Sequence, residues 1–466
     1  MSTSESPQKV ANEASPETGL AKGRIKPAQA FFYALSALAI ATFVTGIGAT
    51  MVTVAGWGSW LVMLLGSIVA LLLATIVSRF ARRHLTTGSI MAYMDLEIGK
   101  KSGVLAGAAL LVGYIAVMCL YFGLALVFLV SFFSSFGIDL SAPWLVSIIG
   151  VVLVIIAVAL ARRGVSLSVN TTVVLGWICV PVAIVILIAA VANFGVDFGS
   201  QFALKDFDPA TLVPGFILGY GVFVGFEGFT ALAQETADPR RTVPKLVFST
   251  VAAVVAIAMV ALLLTVPIFI AHYKEVLAGA SPAHLLADVG GVSVLGTIAD
   301  ALLFLATFAS MLAYVNDAGR IFGTAARDGM LPKALGKIHP KHRTPANAIT
   351  FFGAAAAVVF IAYFLITQLP VYLVFINFAL VVSYAWGVAY LSLSYAGVVD
   401  GIRTRKVLFM VGSIVAGLAV LFALVMSMVT GAVLVPIITF VLIAVLTVVG
   451  IIVRRDAKVS ELTETL

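Results

Sequence analysis

The chain reads as an all-α integral membrane protein with twelve transmembrane helices, and three features carry that expectation. First, 62% of its 466 residues are apolar and only 11% are charged, whereas a soluble domain carries about 25% charged residues. Second, Pro27 to Ser78, Thr344 to Val399 and Val407 to Val453 contain no Asp, Glu, Lys or Arg. One crossing takes about 20 helical residues, so each stretch is long enough for two spans joined by a turn. Third, the apolar runs are continuous instead of alternating with period two, which predicts helices and not barrel strands.

Taken in chain order, residues 1–26 are rich in Ser, Glu, Pro and Thr and read as a disordered tail. The first apolar run begins too far in, and runs too long, for a cleaved signal peptide. Charge, Pro and Gly punctuation then divides residues 27–453 into spans near 29–55, 57–78, 103–134, 141–161, 167–194, 211–234, 246–271, 293–324, 346–367, 370–396, 407–428 and 431–453. Residues 454–466 form a second tail. Of 28 Lys and Arg, only Lys205 and Lys274 fall outside one alternate set of loops and tails, with Arg320 at the end of span 8 counted in the loop that follows it. Short basic loops stay in the cytoplasm, so the asymmetry predicts an even number of spans, both termini cytoplasmic, in the cell membrane.

This topology accounts for the net charge of +7. The bases are scattered over short loops, with no basic domain able to grip nucleic acid. Cys119 and Cys179 sit in apolar runs without a CxxC partner, so they predict packing and not a disulfide framework. The five histidines lie in loops or at span ends without metal spacing, and read as solvated or interfacial. No nucleophile and base set or metal cluster is apparent, so neither an enzyme nor a cofactor is expected.

Two glycine clusters at membrane depth mark candidate helix breaks. One is Thr45-Gly46-Ile47-Gly48-Ala49-Thr50 in span 1; the other runs from Gly219 to Gly228 in span 6 and includes Tyr220, Gly221, Phe223, Gly225 and Glu227. Half-helix ends facing a buried cavity suit a zwitterion: amides after Gly48 would attract a carboxylate, and carbonyls near Ala41 to Thr45 and at Gly219 would accept an ammonium. The alternative is that these glycines serve close helix packing, as Gly107, Gly113 and Gly123 in span 3 are expected to do. Corresponding interruptions five spans apart favour breaks, because they are the expected trace of an inverted repeat.

The segment Gly225 to Lys245, GFEGFTALAQETADPRRTVPK, resembles the amino acid-polyamine-organocation permeases, whose pattern is GFE, a short apolar stretch, EE, then NP-R-x-x-P. Ala326 to Pro332, ARDGMLP, with His339 and Thr344-Pro345 after it, is similar to that family's loop after span 8. The span 1 glycine pair and Thr87-Gly88-Ser89, where relatives carry GG, are weaker matches. The resemblance covers about residues 28–453. It implies the leucine-transporter-like fold: two inverted repeats of five helices, here 27–200 and 201–400, plus two peripheral helices over 401–453. It further implies substrate held between spans 1 and 6, and secondary active uptake or exchange of an amino acid or related amine, coupled to protons or sodium.

Within that frame Thr45, Gly46, Ile47, Gly48, Ala49, Gly219, Tyr220, Gly221, Phe223 and Gly225 are the candidate substrate-binding residues. Gly221 stands where some relatives carry an aromatic lid, leaving Tyr220 or Phe223 as substitutes. Glu227 is the foremost intramembrane ionisable residue, a candidate for proton coupling or for holding the span 1 backbone. Thr307 and Ser310 in span 8 match positions where sodium-coupled relatives place hydroxyls, although such groups also bond back to their own helix. Proton-coupled relatives often carry a lysine in span 5, and this chain has none between Val169 and Trp177. Asp317 and Arg320 are expected to pair at i, i+3, either as a simple ion pair or as an inner gate. Asn316 and Asn377 are expected to bond across helices, and Asp300 to lie either about two turns into span 8 from its outer side or at the interface. The resulting expectation is a secondary amino acid permease working by alternating access. A polyamine or other amine carrier, an exchanger, a non-transporting sensor and a channel are the alternatives.

Overall fold

Backbone groups in an apolar run have no water to bond and must satisfy one another along a helix. The computed structural model describes residue 23 and residues 25–140, 142–430 and 434–464, and it is helical throughout them apart from turns and one isolated bridge. Among the described residues ten helical segments are long and apolar enough to cross a membrane. The first, Pro27–Arg83, is interrupted twice. It comprises α1 (Pro27–Ala37), α2 (Ile40–Ala55) and, after a 3₁₀ turn at Gly56–Gly58, α3 (Ser59–Arg83). A short α4 (Ser89–Glu97) precedes α5 (Lys100–Ser134), α6 (Pro143–Arg162), α7 (Val165–Trp177) and α8 (Val180–Phe194).

The second half opens with two short pieces, α9 (Phe198–Phe202) and α10 (Leu212–Gly221), followed by a 3₁₀ segment at Gly228–Glu235. Helix α11 (Pro239–Ala271) carries Pro244 and Pro267 within it. Small helices α12 (Tyr273–Leu277) and α13 (Pro282–Val289) lead into α14 (Ser293–Arg327). The chain closes with α15 (Ala346–Thr367), α16 (Val371–Arg403), α17 (Val407–Thr430) and α18 (Leu434–Glu464), so helix continues through most of the second expected tail.

Helices α5, α14 and α16 form the centre, α5 packing along both of the others. In α14, 72% of the most apolar window is buried, against 28% in α17 and 22% in α18. Leu408, Leu418 and Val429 are among the large apolar side chains α17 leaves bare. Such faces require a lipid surround, and the chain is a multi-pass membrane protein.

The tail over 1–26 lies mostly outside the described residues, but its last part corrects the expectation of disorder. Ile25 is fully buried, its amide donating to the Glu235 carbonyl at 3.0 Å and its carbonyl accepting from Ala237 at 2.9 Å.

Candidate functional site

Helix α1 ends at Ala37 and α2 starts at Ile40, with Ala39 held at φ 54°, ψ 53°. That places the first break at Leu38-Ala39 and corrects the expected site at Thr45 to Thr50, which is helical throughout. The reason is packing: a Cβ on Gly48 would stand 2.1 Å from Thr265 Oγ1, so this glycine lets α2 approach α11 closely. At the true break the Ser36 carbonyl accepts the Ala39 amide at 2.9 Å and the Ser310 hydroxyl at 2.8 Å. Thr42 holds the start of the new helix, its amide and hydroxyl both donating to the Ala39 carbonyl at 2.8 and 2.7 Å.

The second break falls where the glycines stand. Helical structure stops at Gly221, and the backbone passes through turns to the 3₁₀ segment at Gly228. Gly225 adopts φ +88°, and a Cβ there would lie 2.3 Å from the Tyr314 hydroxyl, so conformation and space both demand glycine. Tyr314 donates to the freed Val224 carbonyl at 3.2 Å. Just before the break, the Tyr220 hydroxyl donates to the Ser383 carbonyl on α16 at 2.9 Å.

Between the breaks lies a cavity of about 120 Å³. Its walls are Thr42, Gly46, Ile47 and Thr50 of α2, the unwound Gly221, Val222 and Val224, and side chains of α5, α14 and α16. Tyr121 and Tyr314 line it as a stacked pair with centroids 5.3 Å apart, and Ser383 adds a hydroxyl. No acidic or basic residue belongs to the wall.

Of the candidate substrate-binding residues, Gly46, Ile47 and Gly221 border this cavity. Thr45 turns its hydroxyl back to the Ala41 carbonyl at 3.3 Å, and Ala49, Tyr220 and Phe223 are buried elsewhere in the packing. A Cβ on Gly219 would meet the Val62 carbonyl at 2.6 Å, which makes this glycine a contact between α10 and α3. Neither Tyr220 nor Phe223 takes the lid position; tyrosines 121, 314 and 372 supply the aromatic wall. Thr42, Tyr121, Tyr314 and Ser383 were not singled out in the sequence, since only Tyr314 and Thr42 lie near a motif or break and none has unusual spacing.

Glu227 is fully buried and accepts two hydrogen bonds, from Trp386 Nε1 at 2.5 Å and the Tyr390 hydroxyl at 2.9 Å. Both donors are on α16, so the carboxylate ties the break to α16 and not to the span 1 backbone, one of the two roles the sequence left open. Thr307 bonds back to the carbonyls of Leu303 and Phe304 in its own helix, at 2.8 and 3.0 Å. In α7, Asn170 accepts from Gln29 of α1, and the Thr172 hydroxyl donates to the Ala309 carbonyl at 3.5 Å.

One turn beyond Tyr314 along α14, the polar groups change character. Arg320 and Glu235 form a doubly bonded ion pair at 2.5 and 3.1 Å, neither side chain reaching solvent. This corrects the expected Asp317–Arg320 pair: the guanidinium reaches across to the 3₁₀ segment, where Glu235 would otherwise be a buried charge without a counterion. Asp317 instead accepts from the Tyr33 hydroxyl of α1 at 3.2 Å. Asn316 does not bond across helices; its amide donates to Leu312 at 3.0 Å and its side-chain oxygen accepts from Arg320 at 3.2 Å, all within α14. Asn377 does reach a neighbour, Tyr363 of α15.

At the other end of α14, Asp300 is fully buried. It accepts from Ser281, from Ser131 at 2.6 Å and from His284 Nδ1 at 3.0 Å. His284 is thus paired, as is His84 with Glu97 at 2.8 Å. Cys119 and Cys179 are buried and unbridged. No cluster of three His, Cys, Asp or Glu with metal-holding geometry occurs among the described residues.

A polytopic helical body with a cavity between two broken spans defines a membrane transporter. The chain belongs to the amino acid permease family, whose sequence model, described as "Amino acid permease", matches residues 25–453. It is similar to the branched-chain amino acid permease BcaP of Bacillus subtilis (strain 168), 26% identical over 67% of this chain and 68% of that one. BcaP of Lactococcus lactis subsp. cremoris is 26% identical over 63% of this chain and 68% of its own. The low-affinity putrescine importer PlaP of Escherichia coli K12 is 26% identical over 60% and 61%. The resemblance drawn from GFE and ARDG is therefore borne out, and the chain is a transporter and not an enzyme.

Proposed function

We propose that the chain is a secondary active permease for an amino acid with an aliphatic side chain, taken up by alternating access with a proton or sodium ion. The observation that carries the reading is the uncharged cavity between the two breaks. The first amides of α2, left without intrahelical partners, attract the substrate carboxylate. Unwound backbone at Val222 offers carbonyls to the ammonium, and Ile47, Val117, Leu120 and Val382 surround the side chain. A cavity of about 120 Å³ is on the scale of one of roughly 150 Å³ that takes up benzene, which suits a branched aliphatic chain. The printed names of the two BcaP relatives support the same class.

The twelve-span topology belongs to this reading. Pro27–Arg83 counts as two spans that reverse at Gly56–Gly58, and 212–235 counts as one broken span. The halves 27–200 and 201–400 then each open with a broken span, α17 and α18 are peripheral, and both termini lie in the cytoplasm. On that side Tyr33–Asp317 and Arg320–Glu235 act as the inner gate, joining α1, α14 and the 3₁₀ segment below the cavity. Glu227 and Ser310 support the site through the two breaks.

A polyamine carrier is the second reading, favoured by the putrescine importer among the relatives. The cavity opposes it, because a dication desolvated in a wall without carboxylates lacks a counterion. Uptake into liposomes by the purified protein separates them, using labelled leucine, valine, alanine and putrescine with imposed proton or sodium gradients. Concentrative leucine or valine uptake is expected. Putrescine uptake without amino acid uptake, or no uptake and no counterflow, overturns the proposal.

A further inference from the structure

Away from the substrate cavity, a second cleft of about 480 Å³ opens where the ends of α3, α11 and α17 meet. Its wall is Thr75, Ser78, Arg79 and Arg82 of α3, Pro244, Lys245 and Phe248 of α11, and Phe409 of α17. The cleft is built, not incidental: the Ser78 hydroxyl donates to the Pro244 carbonyl at 2.9 Å, fixing α3 against α11. Arg79 is locked in place by Asp400 and by Thr404 at 2.7 Å, and its guanidinium lies over the Phe409 ring at 4.5 Å.

The charges do not cancel. Asp400 is shared by Arg79 and by Arg83 at 2.6 Å, and the cleft wall itself contains no acidic residue. Arg82 and Lys245 are exposed and form no ion pair among the described residues. Two free cations therefore face a cleft that already holds a third. The rest of the surroundings is apolar and open to the bilayer: Phe248 is 43% exposed, and Val407 and Leu408 beside Phe409 are 66% and 88% exposed. A cationic head end continuous with a lipid-facing aromatic and aliphatic flank matches one class of molecule, an amphiphile with an anionic head.

We propose that this cleft is a binding site for an anionic phospholipid of the surrounding bilayer. Its phosphodiester is held by Arg82 and Lys245, with Arg79 behind them, and its acyl chains lie along Phe248, Phe409 and Leu408. Bound there, the lipid joins α3, α11 and α17 at the basic end of the molecule. Arg79 is committed to Asp400, so Arg82 and Lys245 are the residues whose charge is available to the ligand.

The test is native mass spectrometry of the full chain in detergent, titrated with dioleoylphosphatidylglycerol, dioleoylphosphatidylcholine or inorganic phosphate. The wild type is expected to bind phosphatidylglycerol in preference to phosphatidylcholine. Each cation near an anionic head contributes about fivefold in affinity, so Arg82→Gln with Lys245→Gln should lose about 30-fold. Arg162→Gln with Arg163→Gln, at the end of α6 and outside the cleft, should lose none. A parallel readout is the melting temperature in nanodiscs, where phosphatidylglycerol should raise that of the wild type but not of the double variant. If the double variant does not fold, either single variant carries the test with a loss of about fivefold. Undiminished phosphatidylglycerol binding by the variants overturns the site. Phosphate binding without preference for the diacyl lipid overturns the lipid as its occupant.

Discussion

Arg320 and Glu235 stand 85 residues apart in the chain and meet through two hydrogen bonds, at 2.5 and 3.1 Å, with neither side chain open to solvent. Removing one member of such a pair leaves the other charge buried and alone, at a cost of about 3–5 kcal/mol, whereas apolar replacements of similar volume are often neutral. Glu235→Ala should therefore unfold far more readily than wild type in detergent, and Glu235→Met with Arg320→Met should recover most of the loss. If the pair is also the inner gate, the double variant stays inactive in uptake. A Glu235→Ala protein with a wild-type unfolding midpoint would contradict the pairing.

Glu227 faces two donors, Trp386 and Tyr390, and a carboxylate satisfies both. A glutamine has one acceptor oxygen and turns its amide towards the other donor, a mismatch costing about 1–3 kcal/mol. Glu227→Gln is expected to fold but to transport several times more slowly, because the span 6 break loses part of its tie to α16. Tyr390→Phe should relieve the mismatch and add little further loss when combined with it. Strictly additive effects in that double-variant cycle would show that the two side chains do not act together.

The membrane class and the second break were legible because each rests on local pattern: uninterrupted apolar runs, and glycine dense enough to free backbone around Gly225. The first break was not, because its turning residue is Ala39, an alanine at φ 54° with no glycine beside it. The conspicuous glycines of that span serve other ends, Gly48 packing against Thr265 and Gly46 bordering the cavity. The Arg320 partner was likewise hidden. Asp317 is the neighbour along the helix, but Glu235 reaches the guanidinium only once the 3₁₀ segment has folded against α14. Local periodicity carries no record of such a contact; the glutamate of the family's EE position was its only trace in the sequence.

The two kinds of glycine separate under alanine substitution. A Cβ on Gly46 meets nothing closer than Pro282 at 3.9 Å, and replacing glycine inside a helix by alanine gains about 0.5–1 kcal/mol. Gly46→Ala should therefore fold at least as well as wild type while narrowing the cavity, raising the KM for leucine more than that for alanine. Gly225→Ala combines φ +88° with a Cβ 2.3 Å from the Tyr314 hydroxyl and should yield little folded protein. Equal yields and unfolding midpoints for the two variants would sink this distinction.

Asp300 and His284 give the N-terminal part of α14 a dependence on pH. The hydrogen bond to Asp300, with the charges of Asp300 and Asp288 behind it, raises the His284 pKa above its usual value, and partial burial opposes the shift. These two carboxylates are the charged groups facing the imidazole: Asp300 from α14, and Asp288 at 4.0 Å from α13 itself. A group whose folded pKa is raised stabilises the fold fully below its unfolded value, about 6.5 for histidine, and that contribution is lost as pH rises through the folded value. The melting-temperature gap between wild type and His284→Gln should accordingly be wide near pH 6 and close as pH rises through the folded value. Asp300→Asn should remove most of the pH dependence of the gap, since the imidazolium then faces only Asp288. Two residues before His284, Pro282 borders the cavity, so α13 links this cluster to the substrate space. Loosening it in His284→Gln should raise the KM for uptake at acid pH and leave it unchanged at alkaline pH. A melting gap that is the same at both ends of the pH range would mean that the charge of His284 does not hold α13 in place.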